Sequence, residues 1–150
     1  MIEFACADDV FLDAPCATHN EVLMLLSEEA ACAEYVDDAK ALRDAMYDAE
    51  RAQKAYKQGN CVLLPVCDAC VHQACAMMLH GFDPIKGWPS ADKKAVDVVL
   101  VTLLPLDASE QDTHCVQALV KRFGDEKFRK SLLRLDDEEE LADFINSSVA

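Results

Sequence analysis

The sequence predicts an α/β layered domain, with one sheet carrying helices on its faces. Two observations predict it. Val96–Leu104 (VDVVLVTLL) is a nearly continuous β-branched run, the pattern of a central strand covered on both faces. Around it, shorter apolar runs alternate with stretches whose apolar residues recur at helical spacing. A length of 150 residues suits a single domain spanning 1–150.

The elements follow in order. Val10–Leu12 is a short apolar run before Asp13, read as a strand. Thr18 followed by Glu21 reads as a capping box, in which each side chain satisfies the other's backbone N–H. The helix after it buries Val22, Leu26, Ala30 and Ala33. Asp37 caps a second helix with Leu42, Met46, Ala49 and Tyr56 on one face, and Gly59-Asn60 ends it. Cys61–Pro65 (CVLLP) is a strand whose ladder Pro65 stops. Ala74–Leu79 is a second strand or extended segment, and Pro105 closes the central one. A stripe of Val116, Leu119, Val120 and Phe123 begins near His114 and breaks at Gly124-Asp125. Phe128, Leu132 and Leu133 form the next helix. The acidic run Asp136–Glu140 heads the last, which buries Leu141, Phe144 and Ile145.

Composition bounds the function. Hydrophobic residues at 52% and charged residues at 28% describe a folded chain rather than a disordered one. A formal charge of −14 repels phosphate backbones and excludes nucleic acid as a direct partner, while tolerating a basic protein. The longest apolar stretch, Val98–Leu106, is too short to span a bilayer, so no membrane insertion is expected. The start MIEFACADD lacks an apolar h-region, which points to the cytoplasm. There the eight cysteines stay reduced, and most read as small buried hydrophobes.

Three constellations could carry chemistry. Cys67 and Cys70 form a C-x-x-C pair, with Cys61, Cys75, His72 and His80 nearby. Thiolates at that spacing can clasp a metal or exchange disulfides, although a second C-x-x-C knuckle is missing. The alternative metal set is Cys67, Cys70, Cys75 and His72, with Cys115 a further candidate. His114 stands just after the central strand at a helix start, where ligands gather in α/β sheets. The loop after Pro65, Val66-Cys67-Asp68, is expected in the same crevice. No cofactor is indicated.

Gly59-Asn60-Cys61-Val62-Leu63-Leu64-Pro65-Val66 resembles the motif G-x-G-[IV]-A-I-P-H of the EIIA domains of the fructose/mannitol class. These belong to the bacterial phosphoenolpyruvate–sugar phosphotransferase system. Glu50-Arg51, Asp83-Pro84-Ile85, the Val96–Val101 run with Pro105 and His114, and the Phe128–Ile145 ending are similar to further segments of that family, in its order. The resemblance implies a mixed sheet of about five strands flanked by helices. It implies phosphoryl transfer from the carrier HPr to the His of I-P-H, then onward to an EIIB domain. On this alignment the phosphoacceptor position is Val66, and His114 falls on a second His that lies beside the first. Phosphoryl transfer needs a lone pair in line with the leaving oxygen, and an isopropyl group has none. Cys61 and Tyr56 also depart from the family's Gly and Thr.

The expected function is therefore that of a degenerate EIIA-like module that binds proteins or regulates, with an HPr-like carrier or an EIIB domain as partner. The first alternative is an active carrier using His72, His114 or Cys67. The second is a cysteine-based metal or redox module. An apolar edge around Met77-Met78-Leu79 would support a homodimer.

Overall fold

The computed structural model describes residues 3–90 and 94–150. Five strands form one mixed sheet: β1 (Ala5–Ala14), β2 (Tyr56–Gln58), β3 (Cys61–Cys67), β4 (Cys75–Ile85) and β5 (Val96–Leu104). Their spatial order is β1-β4-β5-β3-β2. β5 lies at the centre, parallel to β3 and antiparallel to β4, while β1 pairs β4 in parallel and β2 pairs β3 antiparallel. The helices are α1 (His19–Cys32), α2 (Ala39–Arg51), α3 (Glu110–Phe123), α4 (Glu126–Arg134) and α5 (Glu138–Val149). None is long and apolar enough to cross a membrane.

The apolar run of β5 has the two-sided burial its composition implies. Val99, Val101 and Leu103 join one core with Leu26, Leu42 and Met46 of α1 and α2. Val98 and Leu100 join another with Leu119, Leu132 and Leu141 of α3, α4 and α5. Alternation along β3 divides in the same way: Val62, Leu64 and Val66 face α1 and α2, whereas Cys61 and Leu63 face α3 to α5.

Several boundaries differ from the sequence reading, each for a local reason. The second helix is capped by Asp38, whose carboxylate accepts from Ala41 N at 2.7 Å, and not by Asp37. It ends at Arg51 rather than at Gly59. Gln53 takes the left-handed conformation (φ 59°), and the N–H groups of Gln53 and Lys54 return to Glu50 and Ala49. Tyr56 consequently lies in β2, off the helix face, and Gly59 (φ 59°) makes the β2–β3 turn. Pro65 does not stop its strand: β3 runs on to Cys67, with Pro65 opposite Thr102. β4 extends to Ile85 through Gly81, where a Cβ would meet Asp83 O at 2.7 Å. Met77, Met78 and Leu79 are no edge, because β1 and β5 flank β4 and all three are buried. Thr18 caps α1 as expected, accepting from Glu21 N, but the Glu21 carboxylate reaches Ala17 N instead of completing the reciprocal box.

Candidate functional site

Parallel strands β3 and β5 end side by side, at Cys67 opposite Leu104. Asp68 N still bonds Leu104 O at 3.2 Å, and then the chain turns. The Asp68 carboxylate makes that turn by accepting from Cys70 N at 2.9 Å. Two backbone hydrogen bonds pin the loop to the segment before α2, His72 N to Tyr35 O (2.7 Å) and Asp37 N to Cys70 O (2.9 Å), and together they make the bridge between Val36 and Val71. On the other side, the chain leaves β5 through Pro105 and enters α3, which Ser109 caps.

Between these loops and α5 lies a groove of about 800 Å³, lined by Phe4, His72, Ser109, Asp112, Cys115 and Asp143 among others. His72 is half exposed, with Nε2 2.5 Å from Asp37 Oδ1. A carboxylate so placed fixes the ring's orientation and tautomer. Cys115 is buried, and that burial pushes its thiol up, helped by the nearby Asp112 carboxylate.

The candidate residues do not converge. Val66 is buried at 3% exposure on the α1/α2 side of β3, in the cluster that holds Cys70, Val71 and Leu103. Cys67 is exposed, and its thiol donates to Pro105 O at 3.7 Å. His114 lines a separate hollow of about 620 Å³ with Gln117, Lys121, Arg122 and Ser148. One residue on a helix is a 100° rotation, so Cys115, rather than His114, faces the groove. His114 therefore does not share the groove that His72 and Cys115 line.

The cysteine cluster separates too. Cys67 is exposed and Cys70 is buried among the α1/α2 core. Burial, then the hydrogen bond to Asp68, push the Cys70 thiol up to about 12. Burial pushes Cys61 up to about 11 and Cys75 further, while metal binding and exchange both use thiolate. All eight cysteines are free, and among the described residues no three His, Cys, Asp or Glu side chains are placed to hold a metal. The set Cys67, Cys70, Cys75 and His72 thus has no geometric support among the described residues.

Two polar clusters escaped the sequence reading. His19 opens α1, with Nε2 2.9 and 2.8 Å from the two oxygens of Glu50 near the end of α2. Its ring meets Trp88 edge-on at 4.6 Å and Tyr47 at 5.9 Å. Asp9, buried on β1, accepts from the Tyr35 hydroxyl at 2.7 Å. Both pairs join residues more than twenty positions apart, so no local spacing announces them. Arg51, the other half of the charged pair Glu50-Arg51, turns instead to Asp48.

The fold and the sequence both have counterparts. The family profile described as "Phosphoenolpyruvate-dependent sugar phosphotransferase system, EIIA 2" matches residues 3–148. Among solved structures, the nitrogen regulatory protein IIA-Ntr from Neisseria meningitidis superposes with a TM-score of 0.81 at 16% identity, covering 95% of this chain and 96% of its own. IIA mannitol from Escherichia coli gives 0.70 at 15% identity, covering 93% and 97%. The complex of enzyme IIAMTL and phosphorylated enzyme IIBMTL, also from Escherichia coli, gives 0.70 at 16%, covering 95% and 96%. A search of curated protein sequences finds no match. At these identities the structures establish a shared fold, and the profile, which spans nearly the whole chain, establishes that the protein belongs to the EIIA type 2 family of the phosphoenolpyruvate-dependent sugar phosphotransferase system.

Proposed function

We propose that this EIIA-type domain works in the cytoplasm as a protein-binding or regulatory component of a phosphotransferase system, and that the position after Pro65 no longer carries a phosphoryl group. One observation carries the reading. Val66, which follows Pro65 at the end of β3, offers an isopropyl group turned into the α1/α2 core. No lone pair stands there to attack a phosphorus. The family match over residues 3–148 and the Gly59–Val66 segment support placing that position at Val66.

Docking and chemistry use different atoms, so the loss of the nucleophile leaves the docking surface in place. A solved structure of the same fold holds an EIIA enzyme with a phosphorylated EIIB enzyme. We extend that pairing to this chain, with an HPr-like carrier as the other partner.

A second reading keeps the domain active through His72. This imidazole is oriented by Asp37 and lines the groove. Cys67 and His114 are weaker acceptors, since the first donates its thiol proton to a carbonyl and the second lines another hollow.

The test is an NMR titration with an EIIB domain and, separately, with HPr, beside a parallel sample in which phosphoenolpyruvate and enzyme I keep HPr phosphorylated and the protein's mass is read for a phosphoryl adduct. The expected result is saturable shifts at the ends of β3 and β5 with at least one partner, and no adduct. An absence of binding to both would refute the protein-binding reading, and an adduct would refute the loss of chemistry.

A further inference from the structure

We infer that the outer face of α4, with the end of α3, docks a short acidic segment of a protein partner. The inference goes beyond the EIIB and HPr pairing, because it uses a second face. Residues 121–134 hold six of the chain's 14 Lys and Arg, against two acids, Asp125 and Glu126. That stretch is net +4 in a chain of −14, so all the other residues together carry −18. Phe128 and Leu132 turn α4 onto the core, and Lys127, Lys130 and Arg134, at i, i+3 and i+7, share the opposite side. All three are exposed, as are Lys121 and Arg122 in the last turn of α3. The face stands at the other end of β3 from Cys67. Arg129 of α4 donates to Phe123 O at 2.7 Å and lies within electrostatic reach of Cys61, where β3 begins.

Helix stability accounts for only part of this clustering. Cations in a last turn complement the helix dipole, which covers Lys121, Arg122 and Arg134. Lys127 stands in the first turn of α4, where the same dipole opposes a cation. Of the five exposed cations, only Lys130 has an ion-pair partner among the described residues, Glu126 at 3.3 Å. Asp125 serves as the α4 cap, accepting from Lys127 N at 3.0 Å. What accompanies the charge decides the occupant. Among the described residues the exposed large apolar side chains are Met24, Tyr56, Phe82 and Leu106, all outside 121–134. A membrane would meet lysines with no apolar side chain to insert beside them. Nucleic acid, a long polyanion, would run past the patch into the −18 of the rest. A second copy of this chain brings its own −14. A short carboxylate-rich segment matches the patch alone. The stripe spans about 10 Å of helix axis, the reach of about four extended residues, and opposite charge steers the segment there.

The probe is a glutamate hexapeptide, titrated into the intact protein at low salt and followed by amide NMR, which also shows that each variant is folded. A glutamine hexapeptide is the uncharged comparator. An oligonucleotide and phosphatidylserine vesicles stand for the other polyanions. The test variant is Lys127→Gln, Lys130→Gln, Arg134→Gln. The control removes three exposed cations elsewhere: Lys40→Gln, Arg51→Gln, Lys54→Gln. We expect saturable shifts at 121–134 with the glutamate peptide, weakened by salt, and about tenfold weaker binding to the test variant than to the control variant. Equal affinity of the two variants, comparable binding of the glutamine peptide, or shifts centred on the ends of β3 and β5 would overturn the inference. Tighter binding of the oligonucleotide or the vesicles would overturn it too. The EIIB and HPr titrations are read at the strand ends, so that reading stands or falls separately.

Discussion

The Tyr35 hydroxyl donates a 2.7 Å hydrogen bond to Oδ2 of Asp9, a buried carboxylate on β1. Burial raises the Asp9 pKa above the ordinary carboxylate range, and the bond from Tyr35 offsets only part of the rise. The folded state thus holds this proton more tightly than the unfolded chain does. For a raised acid, stability increases as pH falls from the folded pKa towards the ordinary value, and is lost again as pH rises. Asp9→Asn keeps an oxygen acceptor for Tyr35 without the charge. The variant should gain about 1 kcal/mol at pH 7 and flatten the pH dependence of urea unfolding above about pH 4. A loss of stability at pH 7 would contradict this assignment.

The His19–Glu50 pair joins the start of α1 to the end of α2, and both side chains are about nine-tenths buried. Removing one partner leaves the other buried without its bond. His19→Ala should cost about 3 kcal/mol in urea unfolding. The double variant with Glu50→Gln should cost less than the sum of the singles, because the two share one interaction. Strict additivity would show that the pair contributes nothing as a pair.

Glu34 (φ 63°) and Gln53 (φ 59°) follow α1 and α2 in the left-handed conformation. Behind each, two N–H groups return to the last turn of the helix, as from Tyr35 to Ala30 and from Lys54 to Ala49. Glycine is the residue that adopts this conformation without strain. Glu34→Gly and Gln53→Gly should each raise stability by about 0.5 kcal/mol, the relief of strain exceeding the added freedom of the unfolded chain. Thermal unfolding of the two variants checks the direction.

The thiols should divide sharply by reactivity. Cys32 and Cys67 are exposed, whereas Cys61, Cys70 and Cys75 are buried with raised pKa values. With its pKa near 12, Cys70 carries about one part in 10⁴ thiolate at pH 8. Iodoacetamide should label Cys32 and Cys67 first, and Cys61, Cys70 and Cys75 only on unfolding. Fast labelling of Cys70 in the folded protein would revive a redox role for the C-x-x-C pair.

These particulars show where sequence reasoning succeeds and where it stops. Val96–Leu104 was legible because a run buried on both faces leaves a continuous apolar signature. The end of α2 was not, because the chain uses Gln53 where glycine would have marked it. The next glycine, Gly59, belongs to a hairpin that β2 was too short to announce. The family motif points to Val66 and the sequence reading put its loop in the crevice, whereas alternation along β3 turns Val66 into the α1/α2 core. That Cys115 lines the groove and His114 a separate hollow is a matter of one residue of helical phase on α3, which residue spacing alone does not fix. His19 with Glu50, and Asp9 with Tyr35, are meetings that only the tertiary fold brings about.

The central claim is that the chain has the EIIA frame without its acceptor. It is tested most directly by mass spectrometry after incubation with phosphoenolpyruvate, enzyme I and HPr, on the parent protein and on Val66→His, with circular dichroism to confirm that the variant is folded. The account predicts no phosphoryl adduct on the parent and, on the folded variant, one that is acid-labile, as a phosphohistidine is, the imidazole being too polar to keep Val66's place in the α1/α2 core. An adduct on the parent protein, mapped to His72, His114 or Cys67, would contradict it.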